Sequence, residues 1–198
     1  MKIISYFDSD RQDHWLEEIG KSDWRAGTYL HRLLSKDEFY KTFGASSQLL
    51  LLTEGEELVS FCVYAEIDNI RPTELTPWVG FVYTFPESRG HRYAGRLLAE
   101  AERLTRQDGH RQLYLSSDHV GLYEKYGFSF FARLTDTEGR PTGVYVKRFT
   151  DPKTDTAASE EAGTQTGICH TVGAGVLNGP CTVTAWKCGP SRTPAPTN

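Results

Sequence analysis

"WVGFVYTFPESRGHRYAGRLL", residues 78–98, decides how the chain is read. Its first nine residues are aromatic and β-branched and are closed by Pro86, which predicts a strand. Its last third begins a helical pattern. Ala94, Leu97, Leu98, Ala101 and Leu104 share one face, and Gly109 follows the end, so the spacing predicts a helix over 91–107. Between strand and helix stand Arg89, Gly90, His91 and Arg92. A helix N-terminus exposes unpaired N–H groups and the positive end of the helix dipole. Glycine in the turn before it lets the backbone approach an anion closely. Arg89 and Arg92 can add charge to phosphate oxygens, and small residues at 94 and 95 leave room over the first turn. Taken alone, the stretch is equally an ordinary turn, with glycine for geometry and arginine for solubility.

Working outward, the first 150 residues alternate between strand and helix patterns. "KIISYF" is a short strand, after which Asp10 is placed to cap "RQDHWLEEIGK". Trp24, Leu30, Leu33, Leu34 and Phe39 predict a second helix over 24–43. "SQLLLLTEGEELVSFCVYAEID" reads as two strands joined through "EGEE". After the 91–107 helix come the strand "RQLYLSSD", a short helix "HVGLYEKYG" capped by Asp118, and two strands around "EGRPTG". The expected order is β-α-α-β-β-β-α-β-α-β-β, an α/β chain with a mixed sheet.

Composition narrows the function. The chain has 198 residues, enough for one domain with a sizeable core. A net charge of −4 gives no bulk attraction to nucleic acid or an anionic membrane. No apolar run approaches the roughly 18 residues of a membrane span. The N-terminus meets acidic residues at once and lacks the apolar stretch of a signal peptide, so the cytoplasm is the expected location. Of four cysteines only Cys62 lies before residue 150, inside a strand, which argues against a disulfide framework.

The domain is expected to span 1–150 and a low-complexity, disordered tail 151–198. Only Ile168, Val172, Val176, Leu177, Val183 and Trp186 supply large apolar side chains among the last 48 residues. That is too little burial to offset an ordering cost of roughly 1–2 kcal/mol per residue. Cys169, His170, Cys181 and Cys188 fall in this tail without any CxxC pair, so no metal is expected.

A second stretch, "GLYEKYGF" at 121–128, gives the first its meaning. Together they resemble the GNAT superfamily of N-acetyltransferases. Arg89-Gly90-His91-Arg92-Tyr93-Ala94 is similar to that family's Arg/Gln-x-x-Gly-x-Gly/Ala signature, which follows its fourth strand. Leu122 to Phe128 is similar to its Leu/Phe-Tyr-x-x-x-Gly-Phe signature, one helix and one strand later. The first signature departs at Arg92, where the family usually has glycine; an arginine there is tolerable if its φ stays negative and its side chain points outward or folds over a phosphate.

The resemblance covers residues 1–150. It implies a mixed, mostly antiparallel sheet flanked by helices, with the fourth and fifth strands splayed for acyl-coenzyme A. It implies acetyl-coenzyme A as cosubstrate and no metal. The pyrophosphate maps to Arg89, Gly90, His91, Arg92, Tyr93 and Ala94, with Gly95 one step further. The pantetheine arm maps along Phe81, Val82 and Tyr83, and a backbone N–H near Val82 is the implied oxyanion donor. Tyr123 matches the general acid. The family's strand-four glutamate is replaced by Trp78, so the base is open: Glu66 and His119 are candidates, and a water chain or an already neutral amine would serve as well. Trp24, Tyr29 and Trp78 are expected around the acceptor. The implied function is transfer of an acetyl group to a primary amine of a small molecule or peptide, with no nucleic-acid or membrane partner and a homodimer left open. The alternative is a non-catalytic module that senses acyl-coenzyme A. An unrelated nucleotide- or phosphate-binding enzyme is disfavoured, because neither a Gly-Lys-Ser/Thr loop nor a Gly-x-Gly-x-x-Gly turn is present.

Overall fold

A computed structural model describes residues 1–71 and 74–149 of the chain. The tail read at 151–198, with its three cysteines and His170, lies outside the described residues. Four strands open the sheet and four close it. β1 is Lys2–Ser5, β2 Gln48–Glu54, β3 Glu57–Ala65 and β4 the two-residue Ile70–Arg71. β5 is Trp78–Thr84, β6 Gln112–Ser116, β7 Ser129–Asp136 and β8 Pro141–Arg148. The spatial order is β1-β2-β3-β5-β6-β8-β7-β4. Every neighbouring pair is antiparallel except β5 and β6. This is the mixed, mostly antiparallel α/β sheet expected from the sequence. The strand expected as the fourth is β5, because the short β4 went unread.

β2 and β3 read as near-continuous apolar runs because both of their faces are covered. On one face lie α1 (Gln12–Gly20), α2 (Arg25–Ser35) and α3 (Phe39–Phe43). They pack Trp15, Ile19, Leu30, Leu33 and Phe39 over Leu49, Leu51, Phe61 and Val63. On the other face α4 (Tyr93–Gln107) lays Leu97, Leu98, Ala101 and Leu104 against Leu50, Leu52, Val79 and Leu113. No helix among the described residues is long and apolar enough to cross a membrane.

Three local expectations need correction. The helix expected over 24–43 is two helices, because Asp37 turns into the left-handed region with φ 55° between α2 and α3. Asp10 does not cap α1. Ser9 does the local work instead, its hydroxyl accepting hydrogen bonds from the Arg11 N–H at 3.2 Å and from Trp15 Nε1 at 3.0 Å. Nor does Asp118 cap a helix. Residues 118–122 are irregular, and helical geometry is confined to the 3₁₀ turn Tyr123–Tyr126.

β5 and β6 are joined by a single register pair. Trp78 faces Tyr114, and the Tyr114 N–H donates to Pro77 O at 3.0 Å. Beyond that pair the two parallel strands part. On its other side β5 carries a bulge: Phe61 faces Tyr83 and Val63 faces Gly80, so Phe81 and Val82 share the space opposite Cys62. Phe81 takes φ 53°, a conformation seldom adopted by a bulky L-residue and one that accumulates at functional sites.

Candidate functional site

The parting of β5 and β6 opens a cleft of about 340 Å³. Val79 to Thr84 of β5 line it along one side, and Leu115, His119 and Tyr123 belong to the opposite strand and the segment that follows it. Asp23 and Trp24 reach it from the α1–α2 connection, and Arg89 stands after the end of β5. The fold therefore brings Phe81, Val82, Tyr83, Arg89, Tyr123 and His119 to one place, from stretches read separately in the sequence.

The loop after β5 begins with a 3₁₀ turn, Pro86–Ser88. Gly90 has φ 85°, and Arg92, the residue before α4, has φ 59°. The condition of a negative φ at Arg92 is not met: the arginine adopts the left-handed backbone that glycine takes without strain. Non-glycine residues pay about 1–2 kcal/mol there. The Ser88, Arg89 and Gly95 amides donate to Phe85 O, Pro86 O and Arg92 O. The amides of Tyr93 and Ala94 belong to the first turn of a 15-residue helix, where no carbonyl of the same helix can accept them. Gly90, His91 and Arg92 are exposed and Tyr93, Ala94 and Gly95 half-buried. These six form the loop and first helical turn and do not line the cleft wall itself.

Gly95 has a packing reason of its own. A Cβ added there would lie 2.7 Å from the ring of Tyr126. The first turn of α4 and the 3₁₀ turn of residues 123–126 are thus in direct contact, and glycine sets how closely. The 3₁₀ turn is held from below. Lys147 Nζ donates to Tyr126 O at 2.7 Å and also pairs with Glu102. Gly127 closes the turn in the left-handed region, and the Phe128 N–H donates to Tyr123 O at 3.2 Å.

Tyr123 is half-buried, its ring 6.3 Å from that of Phe128 and 6.4 Å from that of Tyr145. Burial first, then the neighbouring Cys62 and Tyr126, push its phenol up to about 12, against a lowering hydrogen bond with the Ser117 side chain. The hydroxyl is therefore held protonated, the state a proton donor needs.

Sequence reading missed Asp23, which joins Tyr83, Trp24 and Arg89 in the cleft. Tyr83 Oη donates to Asp23 Oδ1 at 2.5 Å, and the Asp23 N–H donates back to Tyr83 Oη at 3.3 Å. Trp24 stacks on Tyr83 with centroids 5.7 Å apart and planes 6° from parallel. Arg89 Nε donates to Thr84 O at 3.1 Å while its guanidinium lies 3.8 Å from Asp23 Oδ1. Burial, then the Asp23 hydrogen bond, raises the Tyr83 phenol. Asp23 and Tyr83 are 60 residues apart, and nothing in a single sequence announces such a pair.

Glu66 is not in the cleft. It follows the end of β3, beside Trp78, and its carboxylate accepts hydrogen bonds from Ser46 Oγ at 3.0 Å and the Ser46 N–H at 3.4 Å. Its own N–H donates to Ser47 Oγ. It borders a second cavity of about 220 Å³ together with Asp68, Glu74, Leu75 and Trp78. Burial raises the Asp68 carboxyl against hydrogen bonds from the Asn69 N–H and Ser116 Oγ. Trp78, expected beside the acceptor, is buried, donates from Nε1 to Leu75 O at 2.6 Å and borders this second cavity instead. Tyr29 is exposed on α2 and does not line the cleft, although its ring lies 6.4 Å from that of Phe81.

Residues 12–128 match the model of the acetyltransferase (GNAT) family, more than half of the chain. Among solved structures, an aminoglycoside 6'-acetyltransferase type Ii is similar over 76% of this chain and 99% of its own, at 17% identity and a TM-score of 0.57. An aminoglycoside 6'-N-acetyltransferase complexed with coenzyme A covers 76% and 98%, at 14% identity and a TM-score of 0.54. An acetyltransferase from Streptococcus agalactiae covers 75% and 98%, at 18% identity and a TM-score of 0.54. At these identities the likeness is one of fold. A search of curated proteins found no match.

Proposed function

Because the chain belongs to the GNAT acetyltransferase family, we propose that it moves an acetyl group from acetyl-coenzyme A to a primary amine of a small molecule or peptide. One observation carries the reading: the cleft between the parted strands is lined both by Arg89 of the first signature and by Tyr123 of the second. The residues fit the coenzyme. Gly90 and Arg92 in the left-handed region curve the loop, the first turn of α4 supplies N–H donors, and Arg89 supplies charge for the phosphates. Val82 has no register partner on β3, and the parted edge of β5 offers backbone groups to an amide-bearing arm.

Acetyl-coenzyme A supplies an activated acyl thioester. The protein's tasks are to orient it, to stabilise charge growing on the carbonyl oxygen and to protonate the departing sulfur. The Val82 N–H is the oxyanion donor in this reading, and the Tyr123 hydroxyl is the acid. His119 is the base candidate that shares the cleft with Tyr123; Glu66, turned toward Ser46, is dropped from that role. The non-catalytic alternative leaned on Arg92 alone, and an arginine in glycine's conformation gives it no support.

Calorimetry with acetyl-coenzyme A, ATP and NAD tests the ligand, and release of free thiol across an amine panel tests the reaction. Binding of the acyl-coenzyme alone and thiol release with at least one amine are expected. Tight binding without thiol release on any amine would leave a sensor in place of an enzyme.

A further inference from the structure

Three aromatic rings crowd the helix-covered side of the bulge. Trp24 and Tyr29 are 36% and 39% exposed, large fractions for such side chains. Phe81, half-buried at the positive-φ position of the bulge and edge-on to Phe43, has its ring centroid 6.2 Å from that of Trp24 and 6.4 Å from that of Tyr29. Two exposed rings joined through a half-buried third that lines the cleft are open to a ligand there. These rings also sit beside the backbone expected to hold the reacting carbonyl, since Val82 follows Phe81 directly.

The charges around the wall narrow what it can accept. The Arg32 guanidinium lies 4.9 Å over the Tyr29 ring, and that of Arg89 5.9 Å over the Tyr83 ring. Among the described residues, Asp23 is the one carboxylate lining the cleft, and it is already engaged by Tyr83 and faces Arg89. An acceptor carrying several ammonium groups would meet two guanidinium groups and no unengaged carboxylate there. An acceptor with a single amine, delivered neutral, would meet flat ring faces and edges that can hold an aryl group.

We propose that Trp24 and Phe81 in the cleft, extended by Tyr29 outside it, form the acceptor wall and select a monoamine borne on an aromatic ring. The proposal rests on the acetyl-transfer reading for the fate of that amine, but the wall itself is testable by binding alone. Full-length protein saturated with coenzyme A is titrated calorimetrically with phenethylamine, hexylamine and kanamycin. Phenethylamine is expected to bind about tenfold tighter than hexylamine, the span of a good ring–ring contact. Kanamycin is expected to be the weakest of the three. Tyr29→Ala should erase most of the phenethylamine preference, Tyr29→Phe should restore it, and coenzyme affinity should be unchanged in both. Equal binding of phenethylamine and hexylamine, tighter binding of kanamycin, or a preference untouched by Tyr29→Ala would each overturn the wall. Selective binding with no release of free thiol from acetyl-coenzyme A and phenethylamine would instead uphold the wall and sink the acetyl-transfer reading.

Discussion

The two signature stretches fold under different constraints. The loop at 89–94 is exposed for much of its length, and its shape is set by backbone conformation. The turn at 123–128 is anchored by its aromatic side chains: Tyr123 and Tyr126 are half-buried, Phe128 is buried, Tyr145 lies against Tyr123, and Lys147 bonds Tyr126 O. The loop can therefore depart from the family pattern and keep its curvature, as Arg92 does at φ 59°. The turn has no such freedom, and its pattern is intact. A site built from both is permissive on the side of the loop and strict on the side of the turn.

The largest expected effect probes the strict side. Tyr123→Phe keeps the ring and its packing, so the fold and coenzyme affinity should hold. Turnover should fall by roughly 10²–10⁴-fold, as for loss of a positioned acid. The low end of that range is expected, because a thiol of pKa about 8–9 leaves readily without help. Steady-state kinetics should show the loss in kcat and not in KM. With the phenol held at about 12, the wild-type hydroxyl stays protonated as pH rises through 10. Any fall of kcat between pH 7 and 10 must then come from another group; a wild-type alkaline limb in that window that vanishes in the Phe variant would contradict the raised value.

Gly95→Ala tests whether the two regions are coupled. The new methyl group meets the Tyr126 ring, which must shift or lose its place. A loss of about 1–3 kcal/mol of stability is expected, typical of overpacking. For a chain of this size that lowers Tm by roughly 2–4 °C per kcal/mol. Both kcat and coenzyme affinity should decline with it, because the turn and the loop move together. A variant with altered coenzyme affinity and wild-type kcat would show the two regions to be independent.

Arg89→Ala should act on the permissive side alone. Coenzyme affinity should drop about tenfold, the scale of one charge-assisted hydrogen bond. The remaining affinity should depend less steeply on salt, and kcat at saturation should be near wild type. Arg92→Gly is the smallest change. Relieving the left-handed arginine should raise stability by up to about 1 kcal/mol, less glycine's entropic cost in the unfolded chain. A thermal melt of the two proteins checks the sign.

The same contrast explains what the sequence disclosed. β2 and β3 were legible because both faces are buried and their apolar runs are nearly continuous. α4 was legible because Leu97, Leu98, Ala101 and Leu104 repeat at helical spacing on one covered face. Tyr123 and Arg89 were found through local signatures and do share a cleft. The break between α2 and α3 turned on a single backbone angle at Asp37, which hydrophobic spacing does not register. Glu66 was chosen as lying late in the third strand; the structure ends β3 at Ala65 and turns the Glu66 carboxylate to Ser46, twenty residues away. The Asp23–Tyr83 pair has the same character: it exists only once the α1–α2 connection lies across β5.

The lone Trp78–Tyr114 pair has a mechanical consequence. A sheet joined at its middle by one register pair is two four-stranded plates sharing a hinge line. One plate is β1, β2, β3 and β5, and the other is β6, β8, β7 and β4. α4 splints them from one face, packing on Val79 of the first plate and on Leu113 of the second. The chain between β3 and β5 straps them as well: Ser116 Oγ donates to Asp68 Oδ2, and Ile70 pairs with Asp136 at the far edge. Such plates open as separate cooperative units, so amide hydrogen exchange should divide along this line and not between the helices and the sheet. A ligand lying in the cleft would touch both plates and weld them, and slowed exchange on the β5 and β6 edges would report the weld directly.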